Sequence, residues 1–362
     1  MLSVDYLVVG SGLTGATIAR LLKDAGREVV IVERRPHLGG NVHDTTHSSG
    51  IRIHTYGPHY FRTGSRRIWE FATRFGDFYE YKARLLSWVD GRYEHWPIVK
   101  SCLDRLAGAG CSPGFKGKAT NFEEASLSMM PGVIFDKFVK GYTEKQWGVP
   151  ASTLDAGLAK RFDVRLDNDT RLSRHEYQGL PTEGYDQWIK KILEGIPFCL
   201  NTDFLQRREE FKHKKCLIYT GPIDEFYSFN LGRLKYRGQR RRHEYYPDKQ
   251  QILPCGQVNN PDPHCGAHIR TLEWKYMMPA DCGGEIAGTV ITYEVPYTVQ
   301  CPNDYEYPFP DAANQELYKA YARLAGQTRD LVICGRLGEY RYYDMDQAIG
   351  RAMMIAKRLL SS

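Results

Sequence analysis

The sequence predicts an α/β protein, α+β overall, in which a parallel-sheet domain is interrupted by helical and antiparallel insertions. Three observations predict it. Tyr6-Leu7-Val8-Val9-Gly10 is a continuous apolar run ending in a glycine turn, and Glu28-Val29-Val30-Ile31-Val32-Glu33 is a second run of the same kind. Between them, Leu13 to Ala25 carries helical spacing and stops at Gly26. Strand, crossover helix and strand within about 30 residues make a βαβ unit, and strands buried on both faces read as unbroken apolar runs. The third observation is the composition of Arg233 to Pro308, rich in Tyr, Val, Thr, Gly and Pro, as an antiparallel sheet requires.

Other elements follow in order. From Phe78 to Pro97 aromatic and β-branched residues flank Asp90-Gly91, the signature of a tight hairpin between Leu85–Val89 and Arg92–Trp96. Cys102 to Ala159 reads as mostly helical around a loop at Ser112 to Lys118. Cys216 to Gly221 and Leu331 to Gly335 return to buried parallel strands. Asp346 to Leu360 is a helix with Ile349, Met353, Ala356 and Leu360 on one face.

Gly10-Ser11-Gly12-Leu13-Thr14-Gly15 fits G-x-G-x-x-G in the context that gives the pattern meaning, after a strand and opening a helix. Gly10 allows the tight turn, Gly12 lets backbone approach a pyrophosphate, and Gly15 permits close helix packing. The helix N-terminus adds N–H donors and a favourable dipole for phosphate. Glu33, at the end of the second strand, stands where a carboxylate accepts from a ribose hydroxyl. The pattern alone fits NAD or FAD. Gly39-Gly40 with Asn41, several residues past Glu33 and Arg34, resembles the large flavoprotein class that includes amine oxidases, and Gly335-Arg336 closes a C-terminal strand that leads toward a helix. The prediction is therefore a Rossmann-like FAD-binding domain with an inserted helical domain and an antiparallel β-sheet domain. Its parts are 1–72, 184–230 and 326–362 for FAD, 98–183 for the helices, and 73–97 with 231–325 for the sheet.

Composition narrows the classes. The chain has 362 residues, 42% hydrophobic and 25% charged, as in ordinary soluble proteins, and no run reaches the 18 or so apolar residues of a membrane span. It starts directly into a strand without a basic leader, so a cytoplasmic location is expected. Nine cysteines, odd in number and without a C-x-x-C, fit reduced thiols. A net charge of +6 suits an anionic partner, but the basic cluster Arg233 to Arg242 is too short to argue for nucleic acid. His264, Cys265 and His268 lack a second ligand pair, so no metal is expected.

Four segments carry a more specific likeness: Lys140-Gly141-Tyr142-Thr143-Glu144-Lys145-Gln146-Trp147-Gly148, Tyr56-Gly57-Pro58-His59, Tyr219-Thr220-Gly221-Pro222-Ile223-Asp224 and Gly335-Arg336 through Met345. In these the chain resembles the bacterial UDP-galactopyranose mutases, in order and over nearly its whole length, most weakly from Cys102 to Asn121 and from Glu273 to Asp304. The resemblance implies an isomerase that interconverts pyranose and furanose forms of a nucleotide sugar with no net redox change. It implies reduced FAD, whose N5 attacks the anomeric carbon and displaces the nucleoside diphosphate, and an external reductant to keep the flavin reduced. UDP-galactose is the first candidate substrate; UDP-N-acetylgalactosamine, TDP-fucose or another NDP-sugar stays open, as does a homodimer.

The resemblance also assigns residues. Arg161 and Arg270 match the diphosphate clamp, a role that suits the planar fork of arginine. Tyr307 and Tyr342 match phosphate-binding tyrosines. Tyr142, Thr143, Trp147 and Asn260 match the nucleotide and sugar pocket, with Tyr142 stacking on the base. His59 matches a histidine beside the isoalloxazine, and it counts with Arg161 and Arg270 among the expected catalytic groups. Tyr60, Arg336, Tyr343, Asp344, Met345, Asp346 and Gln347 complete the flavin set begun by Gly10, Gly12, Leu13, Thr14, Gly15, Glu33, Arg34, Gly40 and Asn41. Three positions depart from the family pattern around the substrate. No tyrosine occurs from Leu166 to Glu176, where Leu172 falls nearest the expected one; Ala83 replaces an asparagine, and Arg62 replaces a histidine. The rival readings are an amine-oxidase-like FAD oxidoreductase, which should lack the arginine clamp, and a flavin-bound module that has lost catalysis.

Overall fold

A computed structural model describes residues 2–361. Its first sheet has five strands in the order Phe198–Cys199, Val29–Val32, Leu2–Val9, Phe211–Tyr219, Leu331–Ile333, and every pairing is parallel. All four residues of Val29–Val32 are buried, which is why the sequence shows no alternation there. The helix Leu13–Asp24 packs Ala16, Ile18, Ala19 and Leu22 into a core that also receives Ile349, Ala352, Met353 and Ile355 of the C-terminal helix Met345–Ser361. Each such aliphatic side chain contributes about 1.5–3 kcal/mol by leaving water.

The glycine turn has a backbone reason at two positions. Gly10 sits at φ +98°, and a Cβ there would lie 2.1 Å from the Thr220 hydroxyl. At Gly15 a Cβ would reach within 2.0 Å of the Gly10 carbonyl oxygen, so the helix can start this close to the strand only on glycine.

The second sheet has seven strands, in the order Tyr307–Pro308, Tyr236–Tyr246, Thr289–Thr298, Arg270–Glu273, Gln257–Asn259, Leu85–Val89, Arg92–Trp96. Pairings are antiparallel except between Gln257–Asn259 and Leu85–Val89. The hairpin at Asp90-Gly91 has both residues at positive φ, 51° and 75°, the type I′ geometry that Asp-Gly favours. Leu272, Trp274 and Val290 of this sheet region join the core of the first, which fixes one sheet against the other.

A helical cluster with Phe122, Phe135, Phe138 and Trp147 at its centre caps one end of the second sheet. There Phe135–Lys140 winds with the wider π-type spacing and runs directly into Gly141–Trp147, which closes on Gly148 at φ +72°. One pattern in the sequence was misleading: Phe78–Glu80 pairs with Tyr177–Pro181, which also pairs with Phe61–Thr63, in a separate three-stranded sheet. The stretch expected to be helical up to residue 183 thus ends in a strand. Tyr177-Gln178-Gly179-Leu180-Pro181 lacks alternation, and its Gly179 and Pro181 read against a strand. Among the described residues no helix is long and apolar enough to cross a membrane, no group of three or more His, Cys, Asp or Glu could hold a metal ion, and no disulfide joins the cysteines.

Candidate active site

The carboxyl ends of the parallel strands open on an elongated cavity, as doubly wound sheets do where strand order reverses. Gly10, Gly12, Leu13, Thr14, Glu33, Arg34, Gly40, Asn41, His59, Arg336, Tyr343 and Met345 line it. Gly12 and Gly39 meet in an isolated bridge, and a Cβ on Gly40 would sit 2.9 Å from the Gly12 Cα, so two chain segments pass with bare backbone facing the cavity. Glu33 is held by the turn itself. One carboxylate oxygen accepts from the Ser11 amide at 2.8 Å and its hydroxyl at 2.7 Å, the other from the Arg35 amide at 2.9 Å. Arg34 pairs bidentately with Glu225, at 3.1 and 2.7 Å.

Five residues expected at the cofactor do not line this cavity. Gly15 serves packing, as above; Tyr60, Asp344 and Gln347 line the adjoining cleft, and Asp346 borders a recess beside it. The cavity includes residues the sequence reading did not assign, among them Arg35, Thr202, Tyr219, Thr220 and Asn303. Thr220 and Tyr219 had a signal, since they end a buried strand parallel to the first. Thr202, in a loop, and Asn303, in the short 3₁₀ turn Pro302–Asp304, are brought in by tertiary structure alone.

Next to this cavity is a cleft of about 970 Å³, into which open His59, Tyr60, Arg62, Arg161, Leu172, Arg270, Tyr307, Arg336, Tyr342, Tyr343, Asp344, Met345 and Gln347. Its inner end continues as a lobe of about 170 Å³ with Tyr142, Thr143 and Trp147, and Arg161, Arg270 and Tyr307 border both spaces. Phe138, Phe162, Trp96 and Leu85 supply the apolar wall of the lobe.

Where cleft and lobe meet, three arginines and two tyrosines converge. The rings of Tyr307 and Tyr342 stack 6.2 Å apart at 10°. The guanidinium of Arg161 lies 4.1 Å from the Tyr342 ring centre and that of Arg336 lies 4.7 Å from it. Arg270 reaches the Tyr307 hydroxyl at 3.4 Å. Among the described residues neither Arg161 nor Arg336 has a carboxylate partner; Arg336 donates to the Tyr343 carbonyl at 2.9 Å. Arg270 does have one: Glu294, wholly buried, which also accepts from Arg241 at 2.7 Å, while Arg241 clasps Glu306 at 2.8 and 2.9 Å. Burial opposes the charge on Arg270, but Glu294 more than offsets it and raises its pKa well above the ordinary value. Burial pushes the phenols of Tyr142 and Tyr342 up, so both stay neutral donors.

His59 faces both the glycine-lined cavity and the cleft. Its Nδ1 is 2.7 Å from the Gly57 carbonyl, which can only accept; Nδ1 therefore carries the proton and Nε2 presents a lone pair. Burial, reinforced by Arg336, lowers its pKa to about 3.

The departing positions differ in place. Arg62 lies 3.9 Å from Asp344 at the cleft wall and Leu172 faces the same cleft, whereas Ala83 is buried and borders neither the cleft nor the lobe. Asn260 also borders neither. Its amide nitrogen donates to the carbonyls of Cys265 at 2.7 Å and His268 at 3.1 Å, binding its own loop together. The residue that enters the lobe is its neighbour Asn259.

Comparison with known proteins agrees with this geometry. A family model described as UDP-galactopyranose mutase matches residues 137–342, and one described as an NAD(P)-binding Rossmann-like domain matches residues 8–75. A probable UDP-galactopyranose mutase of Klebsiella pneumoniae is 32% identical over 99% of this chain and 95% of its own. A dTDP-fucopyranose mutase of Escherichia coli is 30% identical over 97% of each. The crystal structure of a reduced UDP-galactopyranose mutase superposes with a TM-score of 0.74 at 15% identity, covering 99% of this chain and 96% of that one, which extends the likeness in fold to both sheets. On the family match and the near full-length identity, the chain belongs to the UDP-galactopyranose mutase family of isomerases.

Proposed function

We propose that this protein interconverts the pyranose and furanose forms of a nucleotide sugar, with UDP-galactose the first candidate substrate, and that it does so with reduced FAD in the glycine-lined cavity. The observation that carries the reading is the convergence of Arg161, Arg336 and Arg270 on the stacked Tyr307 and Tyr342 beside that cavity. Arg161 and Arg336, which have no carboxylate partner among the described residues, face Arg270 in a partly dry cleft, an arrangement that is costly unless an anion joins them. A diphosphate supplies that charge, and arginine forks match its oxygens.

The cavity fits an extended dinucleotide on two features: bare backbone at Gly12 and Gly40, and a helix N-terminus at Leu13 for its phosphates. When bound, reduced flavin supplies a nucleophilic nitrogen for the anomeric carbon. The chain's own part is binding and orientation. Tyr142 and Trp147 hold the nucleoside in the aromatic lobe, and Arg161 and Arg270 neutralise the charge that grows on the departing diphosphate. Tyr307 and Tyr342 donate to it without adding charge. His59, neutral with Nε2 free, serves as an acceptor between the cofactor and the sugar. Leu172, where the family has a phosphate-binding tyrosine, removes one such contact, and Arg62 adds a cation to the same wall. These two changes bear on which sugar is accepted.

The test is a product assay. Dithionite-reduced protein is incubated with a panel of UDP- and TDP-sugars, and pyranose and furanose forms are separated by chromatography. Furanose from at least one of them is expected. No product from any nucleotide sugar, or peroxide formed with oxidation of an amine, overturns the proposal.

A further inference from the structure

We infer that Tyr60, Gln257 and Asn259 form a hydrogen-bonded rail that holds the Asn259 side-chain amide as a fixed donor toward an acceptor oxygen on the nucleoside half of the substrate. The inference rests on the proposed function, because it assigns the lobe to the nucleoside.

The geometry is specific. The Tyr60 hydroxyl donates to Gln257 Oε1 at 3.1 Å, and Gln257 Nε2 donates to Asn259 Oδ1 at 2.9 Å. With Oδ1 accepting from Gln257, Nδ2 is the polar atom that Asn259 has left for a ligand in the lobe, which it lines with Gln257. Both amides are more than nine-tenths buried, at 7% and 4% exposure, so their orientation is set by partners and not by water. Asn259 is the direct strand partner of Arg270, and residues directly opposite project on one face. The clamp arginine and the fixed amide are thus neighbours in one row across the sheet. Burial pushes the Tyr60 phenol well above its ordinary pKa, which keeps it a proton donor to Gln257 at any working pH.

A merely structural polar chain would end on a protein acceptor. This one ends facing the cavity, beside an unpartnered second group: Gln146, 8% exposed, whose Nε2 is buried without a partner while its Oε1 accepts from Gln239 at 2.8 Å. Two amide donors held toward one pocket suit a ligand bearing acceptor oxygens, and they disfavour one that presents an amino group there. A pyrimidine carbonyl and a ribose hydroxyl both qualify.

The experiment titrates flavin-loaded protein with UDP, TDP, CDP, 2′-deoxy-UDP and inorganic pyrophosphate, following tryptophan fluorescence. The unchanged protein is compared with Tyr60→Phe, Gln257→Leu and Asn259→Ala, each first shown to retain its flavin spectrum. The expected result is a loss of about tenfold in UDP affinity in each variant, the size of one neutral hydrogen bond, with pyrophosphate affinity unchanged. Narrowing of the UDP-over-CDP preference assigns the contact to a base carbonyl; equal loss for UDP and CDP with 2′-deoxy-UDP spared assigns it to the ribose. UDP affinity within twofold of the parent in all three variants, or a parallel loss for pyrophosphate, overturns the rail. Failure of the unchanged protein to bind either UDP or TDP overturns the proposed function, and the rail with it.

Discussion

Glu294, with no exposed side-chain surface, accepts from Arg270 on the neighbouring strand and from Arg241 on the other side, so a single buried carboxylate aligns a cleft arginine. The same carboxylate presses on the turn that carries His59, for a Cβ on Gly57 would fall 2.6 Å from its Oε1. The cation that faces the cleft and the histidine that faces the cofactor cavity therefore share one support.

Removing that support leaves Arg270 without a carboxylate partner, while Arg241 keeps Glu306. Glu294→Ala should destabilise the fold by about 3–5 kcal/mol, the range for breaking a buried pair from one side. Glu294→Gln, which keeps the shape but not the charge, should cost less in stability and still weaken nucleotide binding. Urea denaturation alongside UDP titration separates the two effects; equal UDP affinity in Glu294→Gln and the parent would disprove the alignment role.

Arg270→Ala and Arg161→Ala should each lower kcat/KM by about 10²–10³, as loss of one preorganised donor at a charge-developing oxygen does. Arg270→Lys should recover little of this, because an ammonium cannot hold both Glu294 and a phosphate with the fork geometry. Steady-state kinetics with reduced enzyme checks it, and near-complete rescue by lysine would contradict the clamp.

Gly40→Ala should lose flavin while remaining folded. Gly40 stands at φ +53°, and the new Cβ would lie 2.9 Å from the Gly12 Cα, where no side chain can move aside. Flavin absorbance per protein after purification, with circular dichroism as the folding control, reads the outcome. Full flavin content would show that the two glycine segments do not line its path.

Acid should destabilise the protein through its histidines before its carboxylates titrate. Burial is the largest cause of lowered pKa at His54, which falls well below the ordinary value, at His43, lowered to about 4, and at His59, lowered to about 3. A histidine with a depressed folded pKa binds its proton first in the unfolded chain, so stability is full above the unfolded value near 6.5 and falls as pH drops below it. Thermal unfolding from pH 7.5 to 4.5 should show Tm declining below about pH 6.5, with a shallower decline in His54→Gln. A flat profile would rule out neutral burial of these rings.

Much of the first domain was legible because its signals are local. The apolar runs, the G-x-G-x-x-G turn and Glu33 act within one βαβ unit, and Asp90-Gly91 specifies its own turn. The cleft was legible only through likeness to a family, since nothing local in Arg161 or Tyr342 foretells that one will lie over the other. Two placements had no local signal. Asn260 and Asn259 are indistinguishable as neighbours in a list, yet the strand ends at Asn259, which lines the lobe, and Asn260 ties its side chain into the loop that follows. Tyr177–Pro181 lacks strand character because its pairing partners, Phe61–Thr63 and Phe78–Glu80, lie about a hundred residues away. The Arg241–Glu294–Arg270 network could not be read at all, because it is assembled from three strands whose charges look, in sequence, like solvated surface.

The central claim, that the arginine-lined cleft serves an isomerisation and not an oxidation, is tested most directly by counting electrons. Protein reduced with one equivalent of dithionite under anaerobic conditions is given excess UDP-galactose, and both furanose product and flavin absorbance are followed. The account predicts many turnovers per flavin with the reduced spectrum unchanged. Product that stops at one equivalent as the flavin reoxidises, or turnover that requires continuing supply of an oxidant, would contradict it.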